Sequence, residues 1–354
     1  MYKKLLKSMG LLMMLSFAIT GCGSKTEGAK DSKKDVKVGV IYTKAKLGGN
    51  SFNDLVLEGV KKAEKDLGIT YTDVEPNTTA DQENAMETMA SSGDYGTIIV
   101  IGEEQKDVLT NIAGKYTDQK FAFIDGVLDL PNIASYSAKE QEGSFLVGVL
   151  AALAKEEAID ARLDASGKFG FIGGVNIPLI NKFYSGYLAG IKYVNPSNEV
   201  MADYVGGFTD PSTAKVISNT MNQKGVKVIY HAAGASGIGM FQSANENKFL
   251  AIGVNANQNQ LYPDNIIATM LKQVDSAAYS AINDIVNDTF SQGANYLGLK
   301  EEGVGYTLEG SNIKVPDSII KKIDEVKAKI SSGELVVPQT VEEVDNFIKD
   351  NKLK

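Results

Sequence analysis

The chain alternates short apolar runs with amphipathic helical patterns, and it does so twice. In the first helical segment, residues 51–67, Val56, Val60 and Ala63 recur at helical spacing. Repeated β–α units form parallel sheets whose faces are covered by helices. The pattern therefore predicts an α/β fold, and a second series of the same kind occupies residues 169–254.

Two such series in a chain of 354 residues predict two lobes, each a doubly wound parallel sheet. The alternation is broken at 132–137, 255–269 and 293–307, which we interpret as three crossings between the lobes, hence a three-crossover hinge. The predicted boundaries are a first lobe of 36–134 plus 266–292, a second lobe of 135–265 plus 293–335, and a C-terminal tail of 336–354.

The N-terminus has the pattern of an export signal. Three lysines lie within the first seven residues, and the apolar stretch at 11–19 is too short to cross a bilayer. The chain's only cysteine, Cys22, comes shortly after this stretch, and the segment Ile19-Thr20-Gly21-Cys22 resembles the lipobox of bacterial lipoproteins. One interpretation is a signal peptide of residues 1–21, lipidation of Cys22 and a flexible tether over 22–35. The alternative is a soluble secreted protein with an unused thiol.

Charge and composition narrow the function classes. Residues 1–21 carry three lysines and no acidic residue, so their removal changes the net charge from −8 to −11. An acidic protein repels nucleic-acid phosphates, so we expect no nucleic-acid partner and a small ligand. The single histidine, His231, lies in an apolar run and excludes a Ser-His-acid triad. Cysteine and histidine spacing predicts no metal site, and we expect no cofactor.

Polar and aromatic residues follow the predicted strands, at the sheet edge where ligands bind in open α/β sheets. Ser51, Phe52 and Asn53 follow the first strand. They have the composition of a small-molecule cleft, but Ser51 could also cap the next helix while Phe52 packs against the loop. The further candidates at strand ends are Asp125, Phe208, Gly234, Asn255 and Lys272.

Each further candidate also has a structural interpretation. Asp125 could be a turn residue, Phe208 a hydrophobic plug and Lys272 part of a solvated helix face. Gly234 begins a glycine-rich turn, which suits either close backbone approach to a neutral ligand or a plain strand–helix connection. The joint placement at strand ends favours a binding cleft.

Short segments throughout 36–307 resemble the basic membrane lipoprotein (Bmp/Med) family, whose members are purine nucleoside receptor A-like. The segments are Ser51-Phe52-Asn53, Phe123-Ile124-Asp125-Gly126, Gly170-Phe171-Ile172-Gly173-Gly174, Tyr204-Val205-Gly206-Gly207-Phe208-Thr209-Asp210-Pro211, Ala251-Ile252-Gly253-Val254 and Met270-Leu271-Lys272-Gln273-Val274-Asp275. The resemblance implies the type I periplasmic-binding-protein fold and a lipoprotein that delivers nucleosides to an ABC transporter.

The resemblance also implies residue roles. Phe52 and Phe208 sandwich the base, and Asp125 binds the base edge. Gly234 offers its backbone, and Lys272 holds the ribose hydroxyls. Phe52, Asp125 and Lys272 are assigned to the first lobe, and Phe208, Gly234 and Asn255 to the second.

Asn255 departs from the family pattern, which has aspartate at this position. An amide is a weaker acceptor for a ribose diol than a carboxylate, by about 1 kcal/mol. The family resemblance therefore indicates the fold more specifically than it indicates the ligand.

The leading hypothesis is an extracytoplasmic substrate-binding protein, anchored to the bacterial cell membrane through lipid at Cys22. It would capture a purine nucleoside such as inosine, guanosine or adenosine as a monomer and present it to an ABC permease. We expect no catalytic residues and no enzyme activity. The alternatives are a sugar or signalling-ligand receptor of the same fold, and a nucleoside hydrolase.

Overall fold

The structure, a computed structural model, describes residues 36–48 and 52–353. The predicted signal peptide, the tether with Cys22, and Ser51 lie outside these residues. Strands and helices alternate through the first series as the sequence predicts. Its elements are β1 Lys37–Ile41, α1 Phe52–Leu67, β2 Thr70–Val74, α2 Thr79–Ser92, β3 Thr97–Ile101, α3 Lys106–Lys115, β4 Phe121–Ile124 and β5 Ile133–Ala138.

The second series begins with a long helix and ends with helices at the C-terminus. The sequence pattern predicts helices at 178–194 and 211–223, and α5 and α6 have these bounds. Each begins with proline, which fits the first turn of a helix but not its interior. The elements are α4 Glu140–Glu156, β6 Lys168–Gly173, α5 Pro178–Val194, β7 Val200–Tyr204, α6 Pro211–Gln223, β8 Val226–Ala232, α7 Gly237–Asn247, β9 Leu250–Asn255, β10 Ile266–Lys272, α8 Val274–Val286, β11 Gly293–Leu297, β12 Val304–Thr307, α9 Asp317–Ser332 and α10 Val341–Asp350.

Two six-stranded sheets form the two lobes, which confirms the predicted α/β fold class. The strand order is β11-β5-β4-β3-β1-β2 in the first sheet and β12-β10-β9-β8-β6-β7 in the second. The first five strands of each series therefore occupy corresponding places. The sixth strands differ, because β11 pairs with β5 in parallel whereas β12 pairs with β10 antiparallel.

Helices cover both faces of each sheet. In the first lobe, α1 and α8 pack on one face, and α2 and α3 pack on the other. In the second lobe, α4, α5, α9 and α10 share one face, and α6 and α7 cover the other. Strands buried on both sides explain why the central strands are continuous apolar runs rather than alternating ones.

The predicted lobe boundaries are wrong at three strands, of which β5 Ile133–Ala138 lies wholly in the first sheet although residues from 135 onward were predicted in the second lobe. β10 Ile266–Lys272 pairs with β9 and belongs to the second sheet, so Lys272 comes from the second lobe. β11 Gly293–Leu297 pairs with β5 and belongs to the first sheet. The reason is that an apolar strand has the same pattern in either sheet, and its pairing partner is far away in sequence.

The first two crossings lie later along the chain than predicted, and the third lies within the predicted range of 293–307. They fall between β5 and α4, between β10 and α8, and between β11 and β12. The third crossing is bonded to both of the others, through Lys139 N to Leu297 O at 3.0 Å and Gln273 N to Gly303 O at 2.9 Å. The connections between the lobes thus form one hydrogen-bonded bundle.

The predicted tail is part of the second lobe. Helix α10 buries Val344 and Ile348 in the core, and Phe347 packs edge-on against Phe145 with ring centroids 5.7 Å apart. Its apolar residues recur at helical spacing, so one face is committed to the core.

Within residues 36–48 and 52–353, none of the helices is both long and apolar enough to cross a membrane. The same residues contain no group of three or more histidine, cysteine, aspartate or glutamate side chains placed to hold a metal ion.

Candidate ligand-binding site

A buried charged cluster lies where the first two crossings leave the sheets. Lys272 is the last residue of β10 and only 2% exposed, and its ammonium donates a hydrogen bond to the carboxylate of Asp125. Lys272 Nζ also lies 2.9 Å from Oε1 of Glu140, the first residue of α4. One cation of the second lobe is therefore shared between Asp125 of the first lobe and Glu140 of the second.

The pKa shifts follow from this burial. Burial raises the pKa of Glu140 above its usual value, and the neighbouring Lys272 and Lys182 only partly offset that effect. For Lys272, burial acts to lower the pKa, but the Asp125 and Glu140 carboxylates outweigh it and the pKa is raised. Lys272 is therefore held as an ammonium inside the protein.

Aromatic rings flank the Lys272 ammonium from both lobes. Its Nζ lies 5.4 Å from the ring centroid of Phe52 at the start of α1, and 5.4 Å from that of Phe183 in α5. At this distance the ring quadrupoles attract a cation. The structure thus brings together three of the predicted site residues, Phe52, Asp125 and Lys272.

Asp125 and Asn255 occupy corresponding places in the two lobes. Asp125 directly follows β4 and Asn255 ends β9, and both have left-handed backbone conformations with φ of 72° and 69°. Aspartate and asparagine tolerate this conformation better than most residues with a Cβ. Asn255 is paired in register with Leu271, so it lies beside the strand that ends at Lys272.

Phe208 and Gly234 form a second group, in the second lobe. Gly234 has φ of 55°, and a Cβ there would lie 3.2 Å from the carbonyl oxygen of Phe208. A Cβ at Gly174 would lie 2.2 Å from the Phe208 ring. The N–H of Ser236 donates to the Phe208 carbonyl at 3.0 Å. Two glycines and this bond therefore seat the Phe208 ring against the ends of β6 and β8.

Asn53 supports the loop after β1. Its side chain is fully buried, and its Oδ1 accepts hydrogen bonds from the hydroxyl and N–H of Thr43 at 3.0 and 3.4 Å. Its Nδ2 donates to the carbonyls of Thr43 and Lys46 at 3.3 and 3.2 Å. The amide is fully used inside the loop, so we assign Asn53 a positioning role beside Phe52.

His231 is a buried neutral residue of the second lobe. Its Nε2 lies 3.1 Å from Gln258 Oε1, which also accepts a bond from Val254 N at 2.9 Å. Burial lowers the pKa of His231 to about 4, and the bond to Gln258 offsets only part of this effect. A neutral imidazole with Nε2–H donating therefore holds the loop that follows Asn255.

Residues 36–341 match the family described as ABC transporter substrate-binding protein PnrA-like. The chain belongs to this family. An uncharacterized lipoprotein of Pyrococcus abyssi is 32% identical, over 98% of this chain and 94% of its own length. Basic membrane protein A of Borreliella afzelii is 32% identical, over 85% of this chain and 91% of its own length.

A solved structure shows the same fold. The ABC transporter solute-binding protein from Aeropyrum pernix K1 superposes with a TM-score of 0.78 and 30% identity, covering 89% of this chain and 97% of its own. This PnrA-like chain thus has the type I fold of periplasmic solute-binding proteins, and its family serves as substrate-binding proteins of ABC transport. The predicted family and fold are confirmed.

Three residues beside this candidate site were not identified from the sequence. Glu140 opens a helix with Lys139-Glu140-Gln141-Glu142, a pattern typical of a solvated helix start. Phe183 is one apolar residue among many on the inner face of α5. For Glu104, a signal existed, because two glutamates follow the buried strand β3 after a single glycine.

Glu104 lies between the segments that carry Asp125 and Phe52, because β3 lies between β4 and β1. Gln105 anchors its short 3-10 turn by donating to the carbonyl of Ile101 at 2.6 Å. The Glu104 side chain reaches solvent, yet desolvation by the surrounding protein raises its pKa, and the nearby Asp125 carboxylate adds to that rise. This combination fits a carboxylate at the mouth of a cleft.

The cavity at the charged cluster is small. Asp125 and Lys272 border about 10 Å³, close to the space that one water needs. Pockets for small ligands measure about 300–1,000 Å³. Binding at this place therefore requires the lobes to part or the charged side chains to rearrange.

Proposed function

We propose that this protein captures a purine nucleoside between its two lobes and presents it to the permease of an ABC importer. The observation that carries the proposal is the meeting of Phe52, Asp125 and Lys272 at the crossings between the lobes. A flat apolar face beside a carboxylate and an ammonium suits a base and its ribose.

The roles proposed for the residues follow the family resemblance. Phe52 and Phe208 stack on the two faces of the base, and Asp125 accepts hydrogen bonds from its edge. Lys272 donates to ribose hydroxyls, for which Asn255 is a neutral second partner. Gly234 brings its backbone close to the ligand, since it has no Cβ to keep the ligand away.

Binding must rearrange the charged cluster, because Asp125 and Lys272 are bonded to each other. A ligand that offers donors to Asp125 and acceptors to Lys272 replaces that bond with two new ones. The proposal therefore requires a ligand with both kinds of group. A purine ribonucleoside has both, whereas a free base lacks the hydroxyls and a simple sugar lacks the stacking surface.

Lipid attachment at Cys22 would keep the binding domain at the membrane surface, beside the permease. Two acyl chains anchor stably where one does not. We expect Cys22→Ser to abolish labelling by radioactive palmitate and to leave nucleoside affinity unchanged. Continued labelling of this variant would contradict anchoring at Cys22. We expect the protein to act as a monomer.

A calorimetric titration panel tests the ligand class. Protein lacking residues 1–21 and carrying Cys22→Ser is titrated with inosine, guanosine, adenosine, hypoxanthine, ribose and glucose. We expect binding of one or more nucleosides, with the free base and the sugars at least about tenfold weaker. Tightest binding of a sugar would favour the sugar-receptor alternative.

The same protein incubated with inosine tests the hydrolase alternative. Hypoxanthine is followed by chromatography over several hours. We expect inosine to be recovered unchanged, because the family to which the chain belongs serves in substrate binding for ABC transport. Release of hypoxanthine in proportion to protein concentration would contradict a function in binding alone.

A further inference from the structure

Glu140 is a costly residue to bury where it lies. Its side chain is fully buried, and among the described residues neither carboxylate oxygen has a hydrogen-bond partner in good geometry. Its ion-pair neighbours are Lys272 Nζ at 2.9 Å from Oε1 and Lys182 Nζ at 3.9 Å from Oε2. Buried carboxylates are normally hydrogen-bonded, because desolvation of the charge costs several kcal/mol. A residue kept at this cost needs a role that an apolar side chain cannot fill.

The cation that Glu140 faces has two counter-ions. The Lys272 ammonium donates a hydrogen bond to Asp125 of the first lobe. Glu140 of the second lobe lies within ion-pair distance of the same ammonium. Lys272 and Glu140 belong to the same lobe, on β10 and α4, so their spacing persists when the lobes move. The spacing between Lys272 and Asp125 spans the two lobes and changes with them.

We propose that Glu140 is a positioning residue that takes over the Lys272 ammonium when the Asp125 carboxylate bonds to a ligand. The inference rests on the proposed use of Asp125 in nucleoside binding. Lys272 then has a buried counter-ion both without and with ligand. Asp125 can bond to the ligand without leaving the Lys272 ammonium unpaired inside the protein. Lys182, on the far side of Glu140, limits the repulsion between the two carboxylates.

In this proposal Glu140 affects the ligand only through Lys272. The effect of a Glu140 substitution on ligand affinity should therefore depend on whether Lys272 is present. Glu140→Gln leaves Asp125 as the sole counter-ion, so a ligand must compete with a stronger ion pair. We expect nucleoside affinity to fall about tenfold, within the range of coupling between residues of one network. Glu140→Asp, which restores the charge, should recover most of that loss.

The matched control is Glu156→Gln, which removes a carboxylate from the exposed far end of the same helix and should leave affinity unchanged. The decisive background is Lys272→Met. There, adding Glu140→Gln should change affinity less than about twofold, because no ammonium remains to be shared. An equal tenfold loss in both backgrounds would overturn the proposal and assign Glu140 a purely structural role. Thermal unfolding confirms that each variant is folded at the temperature of titration.

A second measurement needs no ligand and so separates this inference from the proposed function. Nitrogen-15 NMR of lysine ammonium groups detects a buried group that exchanges slowly with water, and Lys272→Met assigns its signal. In Asp125→Asn, we expect the Lys272 signal to persist, because Glu140 holds the ammonium. Loss of the signal would overturn the proposal even if nucleosides bind. If the signal persists but nucleosides fail to bind, the takeover by Glu140 stands and the proposed function fails.

Discussion

Asp125 and Asn255 show how the two lobes share a backbone and differ in chemistry. Each residue lies at the end of the third strand of its own sheet, counted from β11 in the first sheet and from β12 in the second. Their φ angles are 72° and 69°. Aspartate and asparagine both adopt the left-handed conformation, so the backbone does not determine whether the side chain at this place is a carboxylate or an amide. Lys272 lies on the strand beside Asn255, yet its ammonium bonds to Asp125 of the other lobe. Corresponding positions therefore carry charge on one side only, and the cation bridges the lobes.

The second lobe also differs in holding a buried histidine next to its cleft loop. His231 lies near the end of β8, whereas the corresponding strand of the first lobe, β3, is fully apolar from Ile98 to Ile101. At corresponding strand ends, the first lobe thus carries Asp125, whose charge is compensated across the cleft, and the second carries Asn255 and the neutral His231–Gln258 pair. The predictions below test that difference, starting with the largest expected effect.

Removal of the bridging cation should be the most damaging change. Lys272→Met leaves Asp125 and Glu140 as neighbouring buried carboxylates, and loss of one partner of a buried pair costs about 3–5 kcal/mol. Urea denaturation measures the fall in the free energy of unfolding. The control, Lys62→Met, removes the lysine of an exposed pair with Asp66 that also lies over the Tyr279 ring, and it should cost no more than about 1 kcal/mol. Equal small losses in both variants would mean that the bridge does not stabilise the fold.

Acid should weaken the second lobe through His231. Its folded pKa of about 4 lies below the ordinary 6.5, so the unfolded chain binds a proton that the folded chain excludes. Its contribution to stability is therefore present above pH 6.5 and is lost as pH falls toward 4, by about 3 kcal/mol in total. His231→Gln, which keeps a donor for Gln258, should remove that part of the pH dependence. Identical slopes in urea denaturation between pH 6.5 and 4 would contradict it.

Exchange of the corresponding residues tests whether charge is needed on one side only. Asp125→Asn should weaken nucleoside binding by about 1.5–3 kcal/mol, because a charged acceptor is lost. Asn255→Asp should strengthen binding of a ribonucleoside by about 1 kcal/mol, since a carboxylate is a better acceptor for a diol. Calorimetry with 2′,3′-dideoxyinosine is the control, because that ligand should not gain. Equal losses in both variants would mean that the two positions serve equivalent roles.

The aromatic residues should contribute about equally from the two lobes. Phe52→Ala and Phe208→Ala should each lower nucleoside affinity by about 1–3 kcal/mol, the range for stacking on a base. Phe52→Tyr and Phe208→Tyr keep the ring and should bind within about 0.5 kcal/mol of wild type. Wild-type affinity in either alanine variant would remove that residue from the site.

Local patterns predicted the elements well, and their partners poorly. Helices α5 and α6 were bounded by proline and by apolar periodicity, both of which act over a few residues. The sheet to which β10 belongs is determined by its pairing with β9 across an intervening loop. The apolar sequence of β10 does not indicate with which strand it pairs. Lys272 was therefore recognised at a strand end but assigned to the wrong lobe.

The candidate site divides in the same way. Phe52, Asp125 and Lys272 could be predicted because parallel strands end at a common edge. Glu140 could not, because an acidic residue in the first turn of a helix is normally solvated and favoured by the helix dipole. Glu140 contacts Lys182 of α5 and Lys272 of β10, so its burial arises from the packing of α4 against both elements. Helices α4 and α5 approach so closely that a Cβ at Gly186 would lie 2.2 Å from the carbonyl oxygen of Gln141. Such close backbone contact is a property of the assembled lobe.

Small-angle scattering tests most directly whether a nucleoside is captured between the lobes. Protein shown by mass spectrometry to carry no nucleoside is measured with and without saturating inosine, or the tightest-binding nucleoside of the calorimetric panel. We predict a smaller radius of gyration with ligand, because a ligand that contacts Phe52 and Asp125 of the first lobe and Phe208 and Asn255 of the second holds the lobes together, whereas the lobes must also separate in the ligand-free protein to admit it. Asp125→Asn at the same ligand concentration should show a smaller change. An unchanged radius of gyration in wild-type protein that binds the nucleoside would contradict capture by closure.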